Sequence, residues 1–278
     1  MLSQLGEEAK LLAGGQSLIP LMKLRFANPR HLVDINFIPE TAYIKEDKSG
    51  LRFGALTRHA QIEKSATAAK IPILHDCAAG IADVQVRNRG TIGGSIAEAD
   101  PSGDWATVLS TLQTSIRVVG KKGERTIPLD KFILDAYTTA LAKDEMVREI
   151  TVKYPRPASG GAYLAFKRTA PVYPTASVAV QLGMEGDVCK DAAISLGCVG
   201  LTAIKASEAE ALLRGQKVTN KTITQAADAA RAAADPQSDT RGSAEYKRTL
   251  VGALVKRAIE IAIRRARGEQ VQVEHIYA

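Results

Sequence analysis

Two glycine-rich loops carry the residue types best suited to gripping a ligand. They are Leu11-Leu12-Ala13-Gly14-Gly15-Gln16-Ser17 and Arg89-Gly90-Thr91-Ile92-Gly93-Gly94-Ser95. Each sets a glycine pair beside a short polar side chain. Lacking a Cβ, glycine enters backbone conformations closed to other residues and lets the main chain approach a ligand closely. Successive N–H groups in such turns form a concave anion-binding nest, which suits a phosphate or pyrophosphate. Two such nests could close on one diphosphate from opposite sides. An ordinary turn is the default reading of either loop alone. Neither matches the G-x-G-x-x-G dinucleotide fingerprint or the G-x-x-x-x-G-K-S/T phosphate loop, so their flanks must decide the matter.

No nucleophile and base stand out elsewhere. Ser17 and Ser95 follow glycine pairs but lack the second flanking glycine of a nucleophile elbow. Asp100 and Asp104 could pose as a metal or acid–base pair, yet Pro101 between them and the apolar run beyond favour turn and helix-cap roles. Cys77, Cys189 and Cys198 are too scattered for a disulfide framework or a metal knuckle, and His31, His59, His75 and His275 show no ligand spacing. No catalytic residue and no metal ligand is assigned. The residues describe a cradle without reaction machinery, which suits a protein whose bound cofactor does the chemistry.

The elements that must hold these loops follow from periodicity. A strand, the first loop, a helix over 18–26 and a strand over 32–35 open the chain. A hairpin is expected across 43–55, and Thr57 is placed to cap a helix running through Ile62. An apolar helix over 73–82 leads to the second loop. A helix over 105–112, with 100–104 as its turn and cap, and strands over 115–119, 125–129 and 146–152 follow. Two prolines and two adjacent glycines within 154–161 resist helix and sheet, marking the domain boundary. Beyond it come antiparallel strands over 163–168, 176–184 and 188–199, then helices over 205–213, 223–234 and 243–267. In the last, Tyr246, Leu250, Leu254, Ala258 and Ile261 recur at helical spacing opposite a basic face of Lys256, Arg257, Arg264, Arg265 and Arg267. That face reads first as solvated and second as a docking face for an acidic partner.

The 278 residues are 45% hydrophobic and 24% charged, an ordinary globular composition. The net charge of +7 does not argue for nucleic acid, because aromatics are only 5% and the cations are not interleaved with stacking rings. No apolar stretch approaches a membrane span, and residues 1–8 lack the basic and apolar regions of a signal peptide, so a cytoplasmic address is expected.

The flanks of both loops resemble a known family. A-G-G-Q-S-L-I-P at 13–20 with L-V-D-I at 32–35, and I-A-D-V-Q-V-R-N-R-G-T-I-G-G-S at 81–95 followed by D-P-S-G-D at 100–104, are similar to the flavoprotein (medium) subunit of molybdenum hydroxylases. That family includes the carbon monoxide dehydrogenase medium subunit and the FAD-binding part of xanthine dehydrogenase. A-F-K-R-T at 165–169, Y-P-T-A-S-V-A-V at 173–180 and S-A-E-Y-K-R at 243–248 extend the likeness over nearly the whole chain.

The resemblance implies an α+β fold: a vanillyl-alcohol-oxidase-type (PCMH-type) FAD-binding domain over 1–157, then a smaller α+β C-terminal domain with an antiparallel sheet and helices over 162–278. It implies FAD in this chain, with Ala13, Gly14, Gly15, Gln16 and Ser17 wrapping the diphosphate. Thr91, Gly93, Gly94 and Ser95 would close on it, with Leu12 and Leu18 flanking the first loop. Ile81 would pack near the adenine, Asp104 would hydrogen-bond to the FAD, and Val147 and Lys167 would line the flavin. A Lys167 near the ring would stabilise the reduced flavin and raise its potential; a surface lysine at a strand end is the competing reading.

The implied partners are a small subunit with two [2Fe–2S] clusters and a large molybdopterin subunit, assembled as a dimer of heterotrimers. The chain would relay electrons from the clusters through FAD to an external acceptor. Substrate and acceptor are not legible, because the substrate is chosen in another polypeptide. Family members usually open with a further segment, and Met1 falls inside its helix: either the start is assigned too far downstream or the N-terminal layer is trimmed, and a missing strand there would expose one side of the sheet and weaken FAD retention. A free-standing flavin oxidoreductase and a redox-inactive nucleotide-binding scaffold are the rival readings, and a class with an extra [4Fe–4S] cluster lacks its cysteines here. Valine at Gly14 or Gly93 is expected to release FAD with the fold intact.

Overall fold

The computed structural model describes residues 2–169, 171–273 and 276–277. A two-stranded parallel sheet, β1 (Ala9–Leu12) with β2 (His31–Asp34), brackets helix α1 (Leu18–Lys23). A five-stranded antiparallel sheet follows in the order β3-β4-β7-β5-β6, from β3 (Ile44–Asp47), β4 (Gly50–Gly54), β5 (Thr114–Gly120), β6 (Gly123–Pro128) and β7 (Met146–Lys153). Five α-helices lie between β4 and β5: α2 (His59–Glu63), α3 (Pro72–Gly80), α4 (Val84–Arg89), α5 (Ile92–Glu98) and α6 (Asp104–Leu109). Alternation along the strands turns Leu51, Phe53, Ile116, Val118, Ile150 and Val152 onto these helices, where Ile73, Leu74, Ile92, Ile96 and Trp105 complete one core.

The second layer is built on β8 (Ser159–Lys167), β9 (Ala176–Glu185) and β10 (Val188–Gly197), all antiparallel. The short strands Ile204–Lys205 and Ile276–Tyr277 flank them. Helices α7 (Ser207–Leu213), α8 (Asn220–Ala233) and α9 (Ala244–Ala266) cover one face. Ala162 and Leu164 of β8 join that core, whereas Tyr163 and Ala165 point the other way into the core of the first domain. One strand therefore closes two interiors. All three cysteines are free thiols. Burial pushes Cys189 up to about 11 and Cys198 up to about 12, and Cys77 further still.

Several local expectations are corrected. Thr57 does not cap α2: its hydroxyl donates to Tyr43 O at 2.8 Å, and Arg58 takes the cap position, where Gln61 Oε1 accepts the Arg58 N–H at 2.8 Å. Residues 84–89, to which periodicity assigns no element, form α4 because Asp83 caps it, accepting Val86 N–H at 2.8 Å. Gly160 and Gly161 lie inside β8 instead of ending it. A Cβ on Gly160 would stand 2.0 Å from Ala262 O, so its absence lets α9 seat on the sheet. The apolar stripe of α9 is rotated from the expected one: Leu254, Ala258 and Ile261 are buried, but so are Val251 and Val255, while Tyr246 is 43% exposed.

Nor is Arg265 on a solvated face. Its guanidinium meets Asp76 of α3 in a buried bidentate pair at 2.6 and 2.9 Å, and it also donates to Gly161 O and Val271 O. Asp76 accepts the Tyr163 N–H at 3.2 Å. Burial pushes the Asp76 carboxyl above its ordinary value, outweighing the downward pull of Arg265. The pair is thus weak as a source of stability but costly to break. Arg265→Met, which strands Asp76, is expected to cost about 3–5 kcal/mol in urea unfolding. Asp76→Leu/Arg265→Met should lose clearly less, and equal losses would refute this account.

His59, the first residue of α2, is buried against Gly90 of the second glycine loop, and Trp105 Nε1 donates to its Nδ1 at 3.0 Å. Burial, aided by Arg58 and Arg87, pulls its pKa from 6.5 to about 3. The unfolded chain therefore binds the proton first. Stability is full above pH 6.5 and falls as pH drops from there toward 3, by at most about 5 kcal/mol over the window. His59→Gln keeps an acceptor for Trp105 without titrating, so it should flatten the urea midpoint between pH 6.5 and 4 relative to wild type.

Candidate cofactor cradle

The two glycine loops meet backbone to backbone. A Cβ on Gly14 would stand 2.3 Å from Arg89 O and 2.8 Å from Gly90 Cα, so no side chain fits between them. Gly15 takes the left-handed conformation at φ +72°, which turns the chain from β1 into α1. Among the described residues, the N–H groups of Gly14, Gly15, Gln16 and Ser17 have no acceptor. Gln16 is exposed and donates to Gly14 O, while Leu12 and Leu18 are half-buried on either side. Four such donors in succession form the nest expected for an anion.

The second loop is anchored harder. Gly93 N–H donates to Ala55 O at 2.9 Å, and its missing Cβ would lie 2.6 Å from that oxygen. Thr91 Oγ1 accepts the Gly94 N–H at 3.1 Å and caps α5. Ala13 Cβ comes within 3.8 Å of where a Gly94 Cβ would stand, and Ser95 faces the 100–104 turn at Gly103. Residues 13–17 and 91–95 therefore share one cradle.

Two residues outside both motifs tie the loops together. Asn36 Nδ2 donates to Ala13 O at 2.8 Å, its Oδ1 accepts from Arg58 at 2.6 Å, and the other arm of Arg58 donates to Arg89 O at 2.5 Å. Hydrogen bonds from the Asn36 main chain and side chain, with Arg89 and Arg58 nearby, hold the Asp34 carboxyl below its ordinary value. Neither glycine motif signals this tie, and Asn36 stands out only as the residue following L-V-D-I.

A second group of site candidates gathers between α3 and β8. Asp104 opens α6, but Gly103 holds the cap position and the Asp104 carboxylate turns inward, correcting the cap reading. It accepts the Tyr163 hydroxyl at 2.6 Å. Burial raises the Asp104 carboxyl, opposed by Lys167 and by that hydroxyl. Lys167 is 1% exposed, which rules out the surface reading, and its ammonium donates to Gly80 O at the end of α3. Ile81, the next residue after that carbonyl, is buried beside it. Val147 sits in the first core opposite Val118, and its neighbour Arg148 accepts the Ala55 N–H. A cleft of about 620 Å³ opens elsewhere, lined by Ser110, Gln113, Lys153 and Lys205, and includes none of these residues.

A dinucleotide fits this layout: main-chain donors with no acceptor among the described residues where a diphosphate would lie, two loops that can meet only because Gly14 carries no Cβ, and a buried ammonium held by a main-chain carbonyl. Comparison with known proteins agrees. The family described as the FAD binding domain in molybdopterin dehydrogenase matches residues 1–156, and the CO dehydrogenase flavoprotein C-terminal domain matches residues 161–262. The carbon monoxide dehydrogenase medium chain of Hydrogenophaga pseudoflava is 41% identical, covering 94% of this chain and 92% of the relative. The glyceraldehyde dehydrogenase medium chain of Sulfolobus acidocaldarius is 35% identical over 91% and 90%. In solved structures, carbon monoxide dehydrogenase from Hydrogenophaga pseudoflava superposes with a TM-score of 0.92 at 43% identity, covering 95% of this chain and 92% of that one. With its PCMH-type first domain and the flavoprotein C-terminal domain behind it, the chain belongs to the FAD-binding medium subunits of the molybdenum hydroxylase family, an oxidoreductase component that carries FAD.

Proposed function

We propose that this subunit relays electrons from the [2Fe–2S] clusters of a small partner subunit, through FAD, to an external acceptor, while a large molybdopterin subunit oxidises the substrate. The reading includes a dimer of heterotrimers in the cytoplasm. The observation that carries it is the meeting of the two glycine loops, where four adjacent N–H groups have no acceptor among the described residues. The medium chains it resembles belong to dehydrogenases named for carbon monoxide and glyceraldehyde, which fits a substrate chosen in another subunit.

FAD, when bound, supplies a centre able to exchange electrons singly or in pairs. The chain's own residues do the rest. Residues 13–17 and Thr91, Gly93, Gly94 and Ser95 would hold the diphosphate through main-chain donors. Leu12 and Leu18 would shield that grip, and Ile81 and Val147 would give apolar contacts. Asp104, oriented by Tyr163, would accept a hydrogen bond from the cofactor. Lys167 would set a positive charge at the ring, favouring its reduced, anionic form.

Native protein should show flavin absorbance near ~450 nm. Gly14→Ala puts a methyl group against Arg89 O, so it should spread the loops and abolish that band after desalting, with far-ultraviolet circular dichroism unchanged. Retained flavin would refute the cradle. Gly93→Val is not the clean test expected from sequence, because its side chain would strike Ala55 and disturb α5 itself. Lys167→Met should keep FAD but shift its midpoint potential to a more negative value, and an unchanged potential would place Lys167 away from the ring.

A further inference from the structure

We propose that Asn36 and Arg58 are positioning residues for the cofactor's diphosphate, acting as one tie that aims the N–H groups of the first glycine loop. The inference rests on the cofactor assignment above and adds two residues that neither glycine motif contains.

The tie is a continuous chain of hydrogen bonds from loop to loop. Ala13 O accepts from Asn36 Nδ2 at 2.8 Å, Asn36 Oδ1 accepts from Arg58 at 2.6 Å, and Arg89 O accepts from Arg58 at 2.5 Å. Leu12 O takes a longer bond from the same amide at 3.3 Å. The amide cannot turn over without loss. Its nitrogen faces Ala13 O, Leu12 O and Asp34 Oδ1, all acceptors, and its oxygen faces a guanidinium.

The consequence lies in the geometry of the trans peptide. A carbonyl and the N–H of the same planar unit point in opposite directions. Drawing Ala13 O toward Asn36 therefore aims the Gly14 N–H away from the tie, where it has no acceptor among the described residues. At the other end Arg58 holds Arg89 O, the atom that a Gly14 Cβ would strike. The same guanidinium thus fixes the gap between the loops. A planar fork reaches two acceptors at once, which a lysine ammonium on a flexible stem does not reproduce.

The test titrates FAD into FAD-free full-length chain, following flavin fluorescence, with ADP as competitor. ADP carries the diphosphate without the flavin. Arg58→Met, Arg58→Lys and Asn36→Leu should each weaken FAD and ADP in parallel by about tenfold or more, the scale of one charge-assisted hydrogen bond. Arg58→Met/Asn36→Leu should be no worse than the weaker single variant, because both break one tie. The melting temperature of the FAD-free protein should stay at the wild-type value. Wild-type affinity in Arg58→Lys and Arg58→Met, with Gly14→Ala still losing FAD, would overturn the tie and leave the cradle standing. A loss for FAD with ADP binding unchanged, or a matching drop in melting temperature, would also overturn it. Wild-type chain that takes up neither ligand would overturn the cradle as well.

Discussion

A single strand, Ser159–Lys167, has to serve two hydrophobic interiors, and the positions of the candidate groups depend on it. Strand alternation sends Ala162 and Leu164 toward α9 and Tyr163, Ala165 and Lys167 toward α3 and α6. A slip of one residue would exchange the two sets and point Leu164 at Asp104. The register is pinned from both sides. Gly160 lets α9 settle against the strand, and Asp76 takes the Tyr163 N–H while sharing Arg265 with Gly161 O.

Helix α3 is held in turn at two points by cations from the second domain, Arg265 at Asp76 and Lys167 at the Gly80 carbonyl. Desolvation opposes ionisation of both buried carboxylates, as the raised Asp76 and Asp104 show, so the arrangement gains order more than energy. By contrast the glycine junction makes its contact through main chain, with the Asn36 and Arg58 side chains holding it from outside both motifs. It works because main chain touches main chain at Gly14 and Arg89–Gly90, leaving donors turned outward.

Much of this was legible along the chain. Strands such as β5 and β7 announce themselves by alternating apolar residues, and the two glycine motifs with their flanks identify the family. What escaped was whatever depends on partners distant in sequence. The Thr57 hydroxyl is claimed by Tyr43 at the open end of the β3–β4 hairpin, Asp104 by Tyr163, and Arg265 by Asp76, and no local pattern reports such pairings. The buried arc of α9 is wider than one row of side chains because the helix packs on β8, β9 and α8 together. Asn36 and Arg58 stayed hidden for the same reason, each having an ordinary local role: one follows a strand, the other starts a helix.

The three thiols illustrate a practical corollary of desolvation. Reactivity toward alkylating agents and peroxide requires the thiolate, and raised values at Cys77, Cys189 and Cys198 keep that form scarce at neutral pH. A spectroscopic label aimed at cysteine would find little to modify on the native chain. A single cysteine introduced at an exposed position, such as Gln16 at the rim of the first loop, would therefore report on that loop without stripping out the natural sulfur atoms.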